Sequence, residues 1–171
     1  SGLQDRIATL ARMESDPSLQ SGAVQALAQF ARTDEARSGV VNGQLLDVAR
    51  GTAEPMIRAN ALAALLPKAC DDSALAHVAE FLRTDRDGEV RRSAAEALGG
   101  AAVEARFVAL GELEKAYRAE SGPDVKRTIL MSIVRAGRGD AAGALERISS
   151  ADPSLTRDVM DYLEILRSGE T

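Results

Sequence analysis

Five nine-residue segments of this chain align without gaps, and their spacing constrains the fold more than any other feature. They are Leu19–Leu27, Ile57–Leu65, Val90–Leu98, Val125–Ile133 and Leu155–Leu163. In each, positions one, five, six and nine are apolar, which gathers one broad stripe on a helix. The first positions, 19, 57, 90, 125 and 155, are 38, 33, 35 and 30 residues apart. Two residues ahead of them stand Pro17, Pro55, Gly88, Pro123 and Pro153, preceded by Asp16, Glu54, Asp87, Gly122 and Asp152. A carboxylate there accepts hydrogen bonds from the first free amides of a helix and opposes its dipole. Proline fits the first turn because its missing N–H would have been unpaired there anyway.

Each period also has room for a helix ahead of the punctuated one. Leu3, Ile7, Leu10 and Ala11 predict the apolar face of the first such helix, and Val41, Leu45, Leu46 and Val48 that of the second. Leu75, Val78, Ala79 and Leu82 serve the third, Phe107, Leu110, Leu113 and Tyr117 the fourth, and Leu145 and Ile148 the fifth. Asn42-Gly43 predicts a late start for the second, with Asn42 as its cap and residues 35–41 as a loop or short turn. Pro67 predicts the end of the helix before it at Leu66. One hairpin of this kind cannot cover its own apolar faces, so neighbours must stack into a continuous core. The end hairpins then expect polar outer sides, from Gln4, Arg6, Arg12 and Glu14 at one end and Asp158, Asp161, Glu164 and Arg167 at the other.

Composition agrees with this plan and excludes several others. The 171 residues are 45% hydrophobic but only 3% aromatic, with no Trp, so the core must come from Ala, Leu, Val and Ile on closely spaced helices. One Cys and one His exclude an internal disulfide and an ordinary zinc site. The net charge of -5 divides into -3 for residues 1–85 and -2 for 86–171, so no global basic field draws nucleic acid. No stretch approaches the ~20 apolar residues of a membrane span. A start at Ser1 without a signal segment reads as an excised piece of a longer, cytoplasmic protein.

The repeats resemble the HEAT family, in particular the short bacterial HEAT-like repeats first associated with phycobilisome lyases. Asp87-Gly88-Glu89-Val90-Arg91-Arg92-Ser93-Ala94-Ala95-Glu96-Ala97-Leu98-Gly99 carries the resemblance best. Arg58 and Lys126 repeat the basic residue after the first position, whereas Gln20 and Thr156 depart from it. The resemblance implies an all-α, right-handed α-solenoid of about five hairpins in a single domain, over roughly 3–33, 34–69, 72–101, 103–138 and 139–168. It also implies that the second helices line a concave side on which partners dock.

On that geometry, positions three and seven of the segments form a ladder: Ser21/Gln25, Ala59/Ala63, Arg92/Glu96, Arg127/Met131 and Arg157/Asp161, extended by Arg135. Arg92, Arg127 and Arg157 make a basic stripe suited to an acidic peptide or protein. Paired along their own helices, Arg92 with Glu96 and Arg157 with Asp161, they would instead be an ordinary solvated face. Cys70, Asp71, Asp72 and His77 are the one cluster that evokes nucleophilic catalysis, but no oxyanion site or Gly-rich elbow accompanies them. Cys70 therefore reads as a packing residue and His77 as a surface one. Asp71-Asp72 and Asp85-Arg86-Asp87 lack the spacing of a calcium loop and read as helix caps. Gly99-Gly100 and Gly137-Arg138-Gly139 read as helix ends. Met131, Met160, Phe30, Phe81, Phe107, Tyr117 and Tyr162 read as packing residues. The reading is a non-enzymatic, cofactor-free protein-interaction scaffold. Its rivals are an enzyme like the bilin lyases, which needs a polar tetrapyrrole pocket, and a nucleic-acid-binding protein like HEAT-like glycosylases, which needs a basic groove and aromatics.

Overall fold

The computed structural model describes residues 2–137, 140–151, 157, 159–162 and 164. Every element among them is helical. In chain order these are α1 (Leu3–Met13), α2 (Pro17–Thr33), α3 (Ser38–Gly51), α4 (Pro55–Ala63), α5 (Asp72–Thr84), α6 (Gly88–Gly99), α7 (Arg106–Ala119), α8 (Pro123–Gly137) and α9 (Ala141–Ala151). Short 3-10 turns at Glu35–Arg37, Pro67–Ala69 and Val103–Ala105 lead into α3, α5 and α7. The helices pair as α1/α2, α3/α4, α5/α6 and α7/α8, and α9 is followed by further helical residues. Among the described residues none of the helices is long and apolar enough to cross a membrane.

The punctuation works as its chemistry requires where a short acid precedes the helix. Asp16 accepts from the amides of Ser18 and Leu19 at 2.8 and 3.4 Å. Asp87 accepts from Glu89 and Val90 at 2.9 and 3.2 Å, and Asp71 from Ala74 at 2.8 Å. Glu54 makes no side-chain cap, so Pro55 alone marks that start. Asp152 lies outside the described residues.

Packing is continuous from one hairpin to the next. Leu27, Leu45, Ile57, Leu62, Leu75, Leu98, Leu113, Ile129, Ile133 and Leu145 are fully buried members of one cluster, with alanines between them. Such small residues let helix axes approach, as between α6 and α8. A Cβ at Gly99 would stand 2.9 Å from Ser132 Cα, so only glycine fits there. From the second hairpin onward, the second helices α4, α6 and α8 pack on one another more extensively than do α3, α5 and α7.

Several expectations are corrected. α3 begins at Ser38, and Asn42 is buried inside it instead of capping it. Its side chain accepts from the Leu66 amide at 3.0 Å and donates to the Leu66 carbonyl at 2.8 Å, holding the chain where α4 has ended. α4 stops at Ala63, three residues before the expected Leu66, and Pro67 opens the following 3-10 turn. On α1 the expected Ala11 is buried and Ile7 packs partly against the core, but the rest of the buried stripe is Gln4 and Ala8 in place of Leu3 and Leu10. Ala8 and Ala11 let α1 sit close to its neighbours, and Gln4 donates to Gln44 Oε1 at 3.0 Å, so it is not an outer polar residue. Leu3 and Leu10 are consequently exposed. Leu19, Met160, Met131 and Phe107 are also exposed; Phe107 lies outside the α7 stripe of Ala109, Leu113, Ala116 and Tyr117, beneath the Arg106 guanidinium at 4.8 Å. Asp158 and Arg167 lie outside the described residues.

Candidate partner-binding face

The ladder positions fall on consecutive second helices because each segment occupies the same register in its own hairpin. Arg92 and Glu96 lie on α6, and Arg127 and Met131 on the adjoining α8. Glu96, Arg127 and Met131 are exposed and Arg92 is half-buried. Arg92 pairs backward with Glu89 at 3.0 Å, not forward with Glu96. Arg127 lies 3.7 Å from Asp124 on its own helix. Arg157 and Asp161 are exposed helical residues after α9. One rung is corrected: Ala59 is buried at 4% exposure and belongs to the core, leaving only Ala63 open in that hairpin.

Arg135 stands apart from these rungs. It occupies the last turn of α8, where two adjoining clefts of about 500 and 470 Å³ share Lys68, Gly100 and Arg135. The first cleft adds Arg32 from the end of α2; the second adds Val103, Glu104 and Arg106. Gly100 packs closely on Pro67, since a Cβ there would stand 3.0 Å from Pro67 Cγ. Arg106 is held by Asp140 at 2.9 Å.

The sequence reading passed over the groups that join one repeat to the next. Arg58 places Nε and Nη2 on Asp85 Oδ2 and Oδ1 at 2.8 and 3.0 Å, while Nη1 donates to the Ala53 carbonyl at 2.8 Å. One repeat on, Arg91 places Nε and Nη2 on Glu120 Oε2 and Oε1 at 2.7 and 3.2 Å, and Nη1 on the Asp85 carbonyl at 2.9 Å. Each guanidinium thus fastens its own turn to the carboxylate of the next. Burial draws the Asp85 carboxyl upward, but the Arg58 hydrogen bonds and the Asp87 amide outweigh it and hold it below its ordinary range. Burial likewise opposes, and Arg91 with the Gly122 and Ser121 amides overcomes, the same balance at Glu120, which is also lowered. The signal was present in the sequence, as a basic residue at position two and an acid five residues before the next repeat's first position. It needs comparison between repeats, not within one.

The cysteine is built for packing. Cys70 is buried, and its Sγ accepts from Asn42 Nδ2 at 3.3 Å. Burial first, and then the charge of Asp71, pushes the thiol up to about 11 against the help of that hydrogen bond, which disfavours the thiolate a nucleophile requires. His77 is half-buried on α5, and among the described residues no hydrogen bond joins it to Cys70. Among those residues, too, no three His, Cys, Asp or Glu side chains converge as metal ligands.

Antiparallel hairpins in register, a core shared across them and ion pairs from turn to turn define an α-solenoid. The family signature of HEAT repeats matches residues 4–99, more than half of the sequence. The chain belongs to the HEAT-repeat family. No curated protein matches it.

Proposed function

We propose that this chain is a non-enzymatic scaffold that binds a protein or peptide partner along the side formed by its second helices. The observation that carries this reading is the uneven packing of the two rows. α4, α6 and α8 approach one another more closely than α3, α5 and α7, so the row bends toward the second-helix side. In this reading the array winds as a right-handed superhelix, and Arg92, Glu96, Arg127, Met131, Arg135, Arg157 and Asp161 face the partner. Exposed Met131 among exposed charges offers an adaptable apolar contact with a polar surround. A single buried cysteine suits a reducing compartment such as the cytoplasm.

Affinity capture on the intact chain, with the retained protein identified and then titrated, tests this. R92E/R127E/R157E is expected to weaken that partner by more than about tenfold, because reversal replaces attraction by repulsion at three rungs. Reversal of Arg118, on the first-helix row and paired with Glu114, is expected to leave affinity unchanged. Equal affinity for the triple variant and the native chain would remove the second-helix side from the account.

A further inference from the structure

We infer that the edge where the second helices end is an anion-recognition groove for an extended acidic segment of a protein. This rests on the scaffold reading and adds a second contact, separate from the Arg92, Arg127 and Arg157 stripe. Arg32, Lys68 and Arg135 come from the first, second and fourth hairpins and line the two clefts that meet over Gly100. All three are exposed, and among the described residues none has an ion pair or a hydrogen bond.

Arg6, Arg50 and Arg86 are also exposed without a side-chain partner among the described residues, but Arg6 and Arg50 each line a cleft with two carboxylates and Arg86 lines neither of these clefts. Arg58, Arg83, Arg91, Arg106, Arg118 and Arg147 are each spent on a carboxylate. A cation near a helix C-terminus complements the helix dipole, which explains one such residue at one helix end. It does not explain why three hairpins send theirs to one groove that contains a single lining carboxylate, Glu104, at its far end. In a chain of net charge -5, an unpaired basic concentration is a local exception, and an acidic ligand is what it complements.

The shape favours a polypeptide over a compact anion. The joined clefts are lined by residues of the first to the fourth hairpin, with Gly100 packed against Pro67 between the two ends. Exposed Val103 borders the far end beside Arg106. An extended strand carrying two or three carboxylates and ending in an aliphatic side chain matches that order: Arg32, then Lys68 and Arg135, then Val103. Nucleic acid is disfavoured because no ring in the clefts offers a base a stacking surface.

The test is fluorescence anisotropy with a labelled Asp/Glu-rich decapeptide ending in Leu, its Asn/Gln counterpart, and a single-stranded oligonucleotide of equal charge. The expected result is binding of the acidic peptide at low salt, weakening as salt rises, with no binding of the neutral peptide. R32E/K68E/R135E should weaken it by more than about tenfold and R32Q/K68Q/R135Q by less, while both keep the native helical circular dichroism. R92E/R127E/R157E should bind like the native chain. If the second-helix reversal abolishes binding and the edge reversal does not, the groove is wrong while the scaffold reading stands. No binding of the acidic peptide to the native chain, or tighter binding of the oligonucleotide, overturns the proposal outright.

Discussion

At the residue scale, Asn42 shows how a polar side chain misleads when its position in a hairpin is unknown. Asn-Gly reads locally as a turn or cap, yet this Asn is 1% exposed and satisfies both backbone groups of Leu66. The demand comes from 24 residues away, where α4 breaks before Pro67 and leaves the half-buried Leu66 amide without a helical partner, while its carbonyl also accepts from the Ala69 amide. Asn42→Ala should therefore cost about 1–3 kcal/mol in urea unfolding, the penalty of leaving the Leu66 amide unpaired. A loss below about 0.5 kcal/mol would mean that water replaces the amide. Cys70, by contrast, was legible as a packing residue from its lack of catalytic company. Its raised pKa predicts that iodoacetamide at pH 8 labels the native chain far more slowly than the urea-unfolded chain. Equal rates would show the thiol to be open.

At the element scale, the helices and their order were readable because apolar period and turn residues agree in every repeat. The face of α1 was not, because a leucine stripe and an alanine stripe lie side by side and only the neighbour decides which is covered. Asp85 was read as part of a helix cap and Glu120 was given no role, and their partners in the preceding repeat were missed. Glu14 and Glu120 make a controlled comparison. Glu14 accepts from the amides of Ser15 and Asp16 at 2.7 and 2.9 Å, and Glu120 from those of Ser121 and Gly122 at 2.9 and 2.7 Å. Only Glu120 also holds an arginine. Glu120→Gln should cost about 1–3 kcal/mol, since it leaves the largely buried Arg91 with a neutral partner. Glu14→Gln should stay within about 0.5 kcal/mol, because an amide oxygen still serves the turn. Equal losses in thermal or urea unfolding would place the effect in the turn, not in the ion pair.

The same pairs set the response to acid. Asp85 and Glu120 have lowered folded-state values, so their contribution is complete above the unfolded carboxylate values of about 4 and disappears as pH falls through the folded ones. The melting temperature should be level with respect to these groups above about pH 5 and fall below about pH 4. In Glu120→Gln that acid limb should be shallower, because one of three lowered carboxylates, the others being Asp85 and the Arg147-paired Glu114, has been removed from the balance. An unchanged limb in melts between pH 2.5 and 6 would assign acid sensitivity to other carboxylates.

At the scale of the whole molecule, stability in a stacked array is a sum of hairpin terms and nearest-neighbour terms, so unequal interfaces give unequal local opening. The turn-to-turn clamps join the second hairpin to the third through Arg58–Asp85 and the third to the fourth through Arg91–Glu120. They are missing between the first and second, where Gln20 and Thr52 occupy the two positions. Gln20 instead donates to the Ala11 carbonyl within its own hairpin, at 2.8 Å. A close helix approach, at Gly99 and Ser132, also lies in the centre. Native-state hydrogen exchange should accordingly find the highest opening free energies in α5 to α8 and lower ones in α1 and α2. Arg91→Met should lower protection in α5 to α8 more than in α1 and α2, bringing the two regions together, since it loosens an interface the first hairpin does not touch. Uniform protection along the chain, or an Arg91→Met effect spread evenly over every helix, would mean that the array opens as one cooperative unit and that these clamps do not set its weak points.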